Sequence, residues 1–88
     1  MAFTIQIKRK ALLAIEELQE KRRVEIRTIL LALKDDPVPF RRMDVTKLKG
    51  YDNVYRIRVG DTRIVYAVSW ADRKILVNYV GPRGNAYD

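Results

Sequence analysis

The chain has 88 residues, 48% of them hydrophobic and 33% charged, which suits one folded domain with a modest core and argues against disorder. Its 18 basic and 11 acidic residues leave a net charge of +7, so a polyanionic partner is expected, most simply nucleic acid. Cysteine and histidine are both absent, which excludes disulfides, thiol catalysis and Cys-ligated zinc and removes the usual general base.

No apolar run approaches the roughly 18 residues of a membrane span, and the first ten residues lack a signal-peptide core. A cytoplasmic protein with no membrane partner is expected, with residues 1–88 as a single domain and no internal repeat. Phe3–Lys8 alternates apolar and polar residues, as a half-buried strand does. From about Arg9 the period changes. Ala11, Leu12, Ile15 and Leu18 mark one helical face, and Ile26, Ile29, Leu30 and Leu33 mark a second. Extending the first stripe would bury Gln19 and Arg22, so a break near Gln19–Arg22 and a helical hairpin are expected. One long bent helix is the alternative, because no Gly or Pro lies there. Lys34 and Pro37 end the second helix.

Residues 35–42 form a connector with prolines at 37 and 39, and residues 43–49 can add a short strand before Gly50. Arg41, Arg42, Lys47 and Lys49 precede the central hairpin, either as a solvated loop or as an outer rim that guides an RNA backbone. That hairpin runs from Val54 to Tyr66 around Gly60-Asp61. A two-residue loop pairs Val59 with Thr62, Arg58 with Arg63 and Ile57 with Ile64. One face then carries Tyr55, Ile57, Val59, Ile64 and Tyr66, which is core material. The other carries Arg56, Arg58 and Arg63.

Like charges directly opposite on a sheet are destabilising, whereas an opposite pair contributes about 0.2–1 kcal/mol. Selection for stability alone would place an acid there. Three arginines converging with no acid among them point to an anion-binding face. The second hairpin strand continues through Trp70, Ala71-Asp72-Arg73 turns the chain, and Lys74–Val80 returns. Pairing Trp70 with Ile75, Val68 with Val77 and Tyr66 with Tyr79 collects one core face and puts Pro82 opposite Arg63. Arg83 then leaves the strand beside the arginines. The expected fold is α+β: an antiparallel sheet of about four strands, with an N-terminal strand and a helical hairpin packed on one face.

No phosphate loop, Ser/His/Asp set or metal-ligand spacing occurs, so neither a cofactor nor a metal is expected. What remains is arginine and tyrosine. Arginine offers planar, bidentate phosphate recognition and stays charged at any working pH. Three or four around one phosphate would stabilise the charge that builds during phosphodiester cleavage, where losing one preorganised donor costs on the order of 10²–10³ in rate. Arginine is a poor proton acceptor. Tyr87, four residues after Arg83, can transfer a proton if neighbouring cations lower its pKa, or it is a surface aromatic of the tail.

Lys47-Leu48-Lys49-Gly50, Tyr55–Gly60, Arg63-Ile64-Val65-Tyr66 and Gly81–Tyr87 together resemble the RelE-like toxins of the RelE/ParE toxin–antitoxin superfamily, particularly the archaeal type. The resemblance spans nearly the whole chain. It implies a type II toxin that cuts mRNA in the ribosomal decoding site, through attack of the substrate 2′-hydroxyl on the neighbouring phosphate. Arg56 and Arg58 stand where the family has two basic strand residues. Arg63 matches a strand arginine that holds the scissile phosphate, Arg83 a C-terminal arginine, and Tyr87 a near-terminal tyrosine. Many relatives carry two arginines before that tyrosine; here only Arg83 remains. The implied partners are the ribosome, mRNA and a cognate RelB-like antitoxin in a hetero-oligomer. Two other readings stay open: a ParE-like inhibitor of DNA gyrase and a non-catalytic RNA-binding protein.

Overall fold

A computed structural model describes residues 2–82. Strand β1 (Thr4–Ile7) leads into helices α1 (Arg9–Glu16) and α2 (Glu20–Leu33), followed by β2 (Asp44–Lys47), β3 (Val54–Val59), β4 (Thr62–Ser69) and β5 (Lys74–Pro82). The strands form one sheet in the order β1-β5-β4-β3-β2. The expected α+β class holds, with two differences from the expected sheet. Residues 44–47 do form a strand, making five, and β1 lies parallel to β5 while all other pairs are antiparallel. The helical hairpin carries the chain from β1 at one edge of the sheet to β2 at the other, and the three antiparallel turns that follow bring β5 back beside β1.

The expected helix break is real and lies at Glu17–Gln19. It needs neither Gly nor Pro because Arg23, in the first turn of α2, donates Nη1 hydrogen bonds of 3.2 Å to the carbonyls of Glu16 and Leu18. The Glu16 carbonyl closes α1 and the Leu18 carbonyl lies in the break itself, where a side-chain donor takes the place of the helical ladder. Ala11 and Ile15 of α1 and Ile26, Leu30 and Leu33 of α2 are buried against Tyr55, Ile57, Ile64, Tyr66, Val68, Ile75, Val77 and Val80 of the sheet. Leu12, placed on the inner stripe by periodicity, is instead exposed. Each fully buried Ile or Leu contributes about 1.5–3 kcal/mol relative to exposure. Tyr66 lies at the centre, with 0% exposure, and its hydroxyl donates to the Pro37 carbonyl at 2.7 Å. That bond fixes the connector leading to Arg41 and Arg42. Burial, and then the nearby Tyr55 and Asp36, push the Tyr66 phenol well above its ordinary pKa.

The β3–β4 register is as expected, with Arg58 across from Arg63 and Ile57 across from Ile64. The β4–β5 register is not. Ser69 pairs with Lys74 around a four-residue turn, Tyr66 pairs with Val77, and an irregularity beyond that point brings Val65 opposite Tyr79 and Arg63 opposite Gly81. Val77 and Val80 are both buried although three positions apart. A bulge at Asn78 reconciles this with a period of two. It also moves Tyr79 out of the expected core face and onto the face of Arg63. Trp70 falls in the turn, where its ring meets Phe3 edge-on at 5.6 Å and Nε1 donates to Asn53 Oδ1 at 3.2 Å.

Candidate functional site

Both helices pack on one side of the sheet, and the arginines occupy the other. Because paired strand residues point to the same side, two rows cross that face. Asp44, Arg58, Arg63 and Gly81 form the first, and Thr46, Arg56, Val65 and Tyr79 form the second. The three arginines are graded in exposure. Arg58 is exposed, Arg56 is half-buried with Nη2 3.4 Å from Thr46 Oγ1, and Arg63 is only 6% exposed. An anion arriving from solvent meets Arg58 first and finds in Arg63 a guanidinium already partly withdrawn from water. Attraction between opposite charges is stronger where water is excluded.

One acid does lie on this face, contrary to the sequence reading. Asp44 pairs with Arg58 across β2–β3, and its Oδ2 lies 3.8 Å from Arg58 Nε. The two side chains are 58% and 47% exposed, so this is a weak surface ion pair. Three arginines against one aspartate keep the face cationic.

The β3–β4 turn that carries Arg58 and Arg63 is held from the helix side. Gly60 has φ +61°, the left-handed conformation a tight hairpin turn needs. Arg22 of α2 donates to the Val59 carbonyl and, at 3.2 Å, to Thr62 Oγ1. It also lies 3.4 Å from Asp61 Oδ1 and 3.2 Å from Glu25 Oε1. A side chain at position 60 would strike the Arg22 guanidinium. The sequence signalled Arg22 as a charge falling on the apolar stripe but not what it binds.

Arg41 and Arg42 are exposed in the connector, and Lys49 in the β2–β3 loop. Lys47 pairs with Tyr55 and so shares the helix side of the sheet, away from Arg56 and Arg58. Arg83 and Tyr87 lie outside the described residues. Tyr79 and Asp44 are the outer-face residues that sequence reasoning missed. Among the described residues no cluster of acidic side chains is arranged to hold a metal ion, and no helix is long and apolar enough to cross a membrane.

The two-helix, five-stranded α+β fold is that of solved RelE toxin structures. A Methanocaldococcus jannaschii protein named toxin RelE1 is 33% identical over 87 residues, covering 99% of this chain and 97% of its own length. The chain belongs to the RelE family of toxins. The RelE–RelB complex of Pyrococcus horikoshii contains a chain that is 32% identical, with a TM-score of 0.86 over 98% of this chain and 100% of that one. The Escherichia coli RelBE complex shares the fold, at 22% identity and a TM-score of 0.79 over 96% of this chain and 100% of that one. No family model matches the chain.

Proposed function

We propose that this protein is the toxin of a type II toxin–antitoxin pair and that it cuts mRNA on the ribosome without a metal. The observation that carries this reading is the cross-strand pair Arg58–Arg63, with Arg56 beside it, on the side of the sheet opposite the two described helices. In the proposed reaction the substrate 2′-oxygen bonds to the adjacent phosphorus, and the bond from phosphorus to the 5′-oxygen breaks. The products are a 2′,3′-cyclic phosphate and a 5′-hydroxyl. The guanidinium groups of Arg56, Arg58 and Arg63, joined by Arg83, hold the phosphate and offset the charge that builds on its free oxygens.

A proton must leave the 2′-hydroxyl and another must reach the departing 5′-oxygen. Tyr66 is unsuited to either task, being buried on the core side with its hydroxyl committed to Pro37. Tyr87 is the proposed proton-transfer residue. Arg41, Arg42 and Lys49, with Lys47 at the sheet edge, form the proposed rim for the flanking RNA. The partner is a RelB-like antitoxin, as in the RelE–RelB complexes of the structural relatives, and the protein acts in the cytoplasm.

The test compares ribosomes programmed with message against the same message free in solution, mapping new RNA 5′ ends. Cuts confined to translated message, and strongly reduced for Arg63→Ala and Tyr87→Phe, are expected. Intact message together with arrested DNA gyrase would favour the ParE-like reading. Intact message that is nevertheless bound would favour a non-catalytic RNA-binding role.

A further inference from the structure

The Asn78 bulge places an aromatic ring on the same face as the three arginines. Tyr79 is paired with Val65, next to the Arg63–Gly81 pair, and it is half-buried. Its hydroxyl donates to the Pro82 carbonyl at 2.9 Å, which lays the ring along the strand toward position 81. Gly81 has no side chain, and a Cβ there would collide with the Tyr79 hydroxyl and ring. The glycine thus leaves the space beside Arg63 to a flat aromatic surface. Val65, the cross-strand partner of Tyr79, is 1% exposed although it is not part of the hydrophobic core between sheet and helices.

A phosphodiester held by guanidinium groups carries a nucleobase on each side, less than a nucleotide's length away. Single-stranded RNA is recognised by stacking such bases on aromatic rings beside a cationic track. We propose that Tyr79 is the stacking platform for a nucleobase flanking the phosphate held at Arg58 and Arg63. Resting on the RNA reading of this face, the proposal extends it with a base-binding residue. The ring does the work and the hydroxyl only orients it. Stacking accepts any base, so Tyr79 contributes affinity and positioning rather than sequence preference.

The test uses the full-length protein and two short single-stranded oligonucleotides, one RNA with 2′-O-methyl groups to block cleavage and one abasic backbone of equal length. Binding is measured at low salt for wild type, Tyr79→Phe, Tyr79→Leu and Arg63→Ala. Leucine keeps an apolar side chain opposite Val65, and circular dichroism verifies that the variant is folded. Tyr79→Phe is expected to bind RNA within about twofold of wild type. Tyr79→Leu is expected to lose about 5- to 150-fold on RNA, the range for removing one base–aromatic stack, and almost nothing on the abasic backbone. Arg63→Ala is expected to weaken both. Equal losses on both oligonucleotides for Tyr79→Leu, or no loss on either, would overturn the stacking role while leaving the RNA reading intact. Wild-type protein that binds neither oligonucleotide would overturn the stacking role, and the ribosome test above decides the RNA reading separately.

Discussion

Replacing Arg22 with alanine tests how the helical layer fixes the geometry of the arginine face. Arg22 is 28% exposed and donates to two part-buried acceptors, the Val59 carbonyl and Thr62 Oγ1. Hydrogen bonds to charged groups contribute about 1.5–3 kcal/mol when shielded. Because the guanidinium is partly solvated, we expect Arg22→Ala to cost about 2 kcal/mol in total. The contacts to Asp61 and Glu25 add little, since those side chains are 95% and 45% exposed. A domain of this length has about 4–13 kcal/mol of stability, so the loss is a large share and corresponds to roughly 8–16 °C in melting temperature. Urea unfolding monitored by Trp70 fluorescence and far-UV circular dichroism measures it. Arg22→Lys should recover only part, because an ammonium cannot bridge Val59 and Thr62 as the planar fork does. An Arg22→Ala cost below about 0.5 kcal/mol, or an Asp61→Ala variant as unstable as Arg22→Ala, would refute this view of the turn.

Gly60 and Gly50 both have positive φ, but only at Gly60 does a Cβ meet the Arg22 guanidinium; at Gly50 nothing lies within 4 Å. Gly60→Ala is therefore expected to cost more than Gly50→Ala in urea unfolding, and the excess should vanish in an Arg22→Ala background. Tyr66 has its pKa raised by burial. The unfolded chain then releases this proton more readily than the native one, so the contribution is intact below about pH 10 and is lost as pH rises beyond it. Tyr66→Phe should be less stable at neutral pH by about 1 kcal/mol, and its stability should fall less steeply above pH 10 in equilibrium unfolding. Asp44→Asn removes the acid paired with Arg58 and should tighten RNA binding about two- to fivefold at low salt, with the gain shrinking as salt is added.

Much of this architecture was legible from residue patterns because it follows from periodicity. Alternation around Gly60-Asp61 set the β3–β4 register, and with it the facing of Arg58 and Arg63, since one face had to be buried. The helix break was readable because an unbroken stripe would have buried Gln19 and Arg22. The hydrogen bonds from Arg23 that satisfy carbonyls at this break have no pattern in sequence. The strand 44–47 was visible only as an option, so the contact of Asp44 with Arg58 stayed hidden. Tyr79 was misplaced because a bulge interrupts the period of two, and strict alternation of Ile75, Val77 and Tyr79 gave an equally apolar face. The parallel pairing of β1 with β5 is a long-range choice that no local pattern encodes.

Arginine side-chain Nε–H signals, followed by NMR while a 2′-O-methylated trinucleotide is added, report most directly on whether one phosphodiester sits at the cationic row. The expected result is that the signals of Arg56, Arg58 and Arg63 shift together along a single saturation curve, while Arg22 and Arg23 on the helix side stay still. Shifts confined to Arg41 and Arg42, or spread evenly over every arginine, would contradict the assignment of this face as the phosphate site.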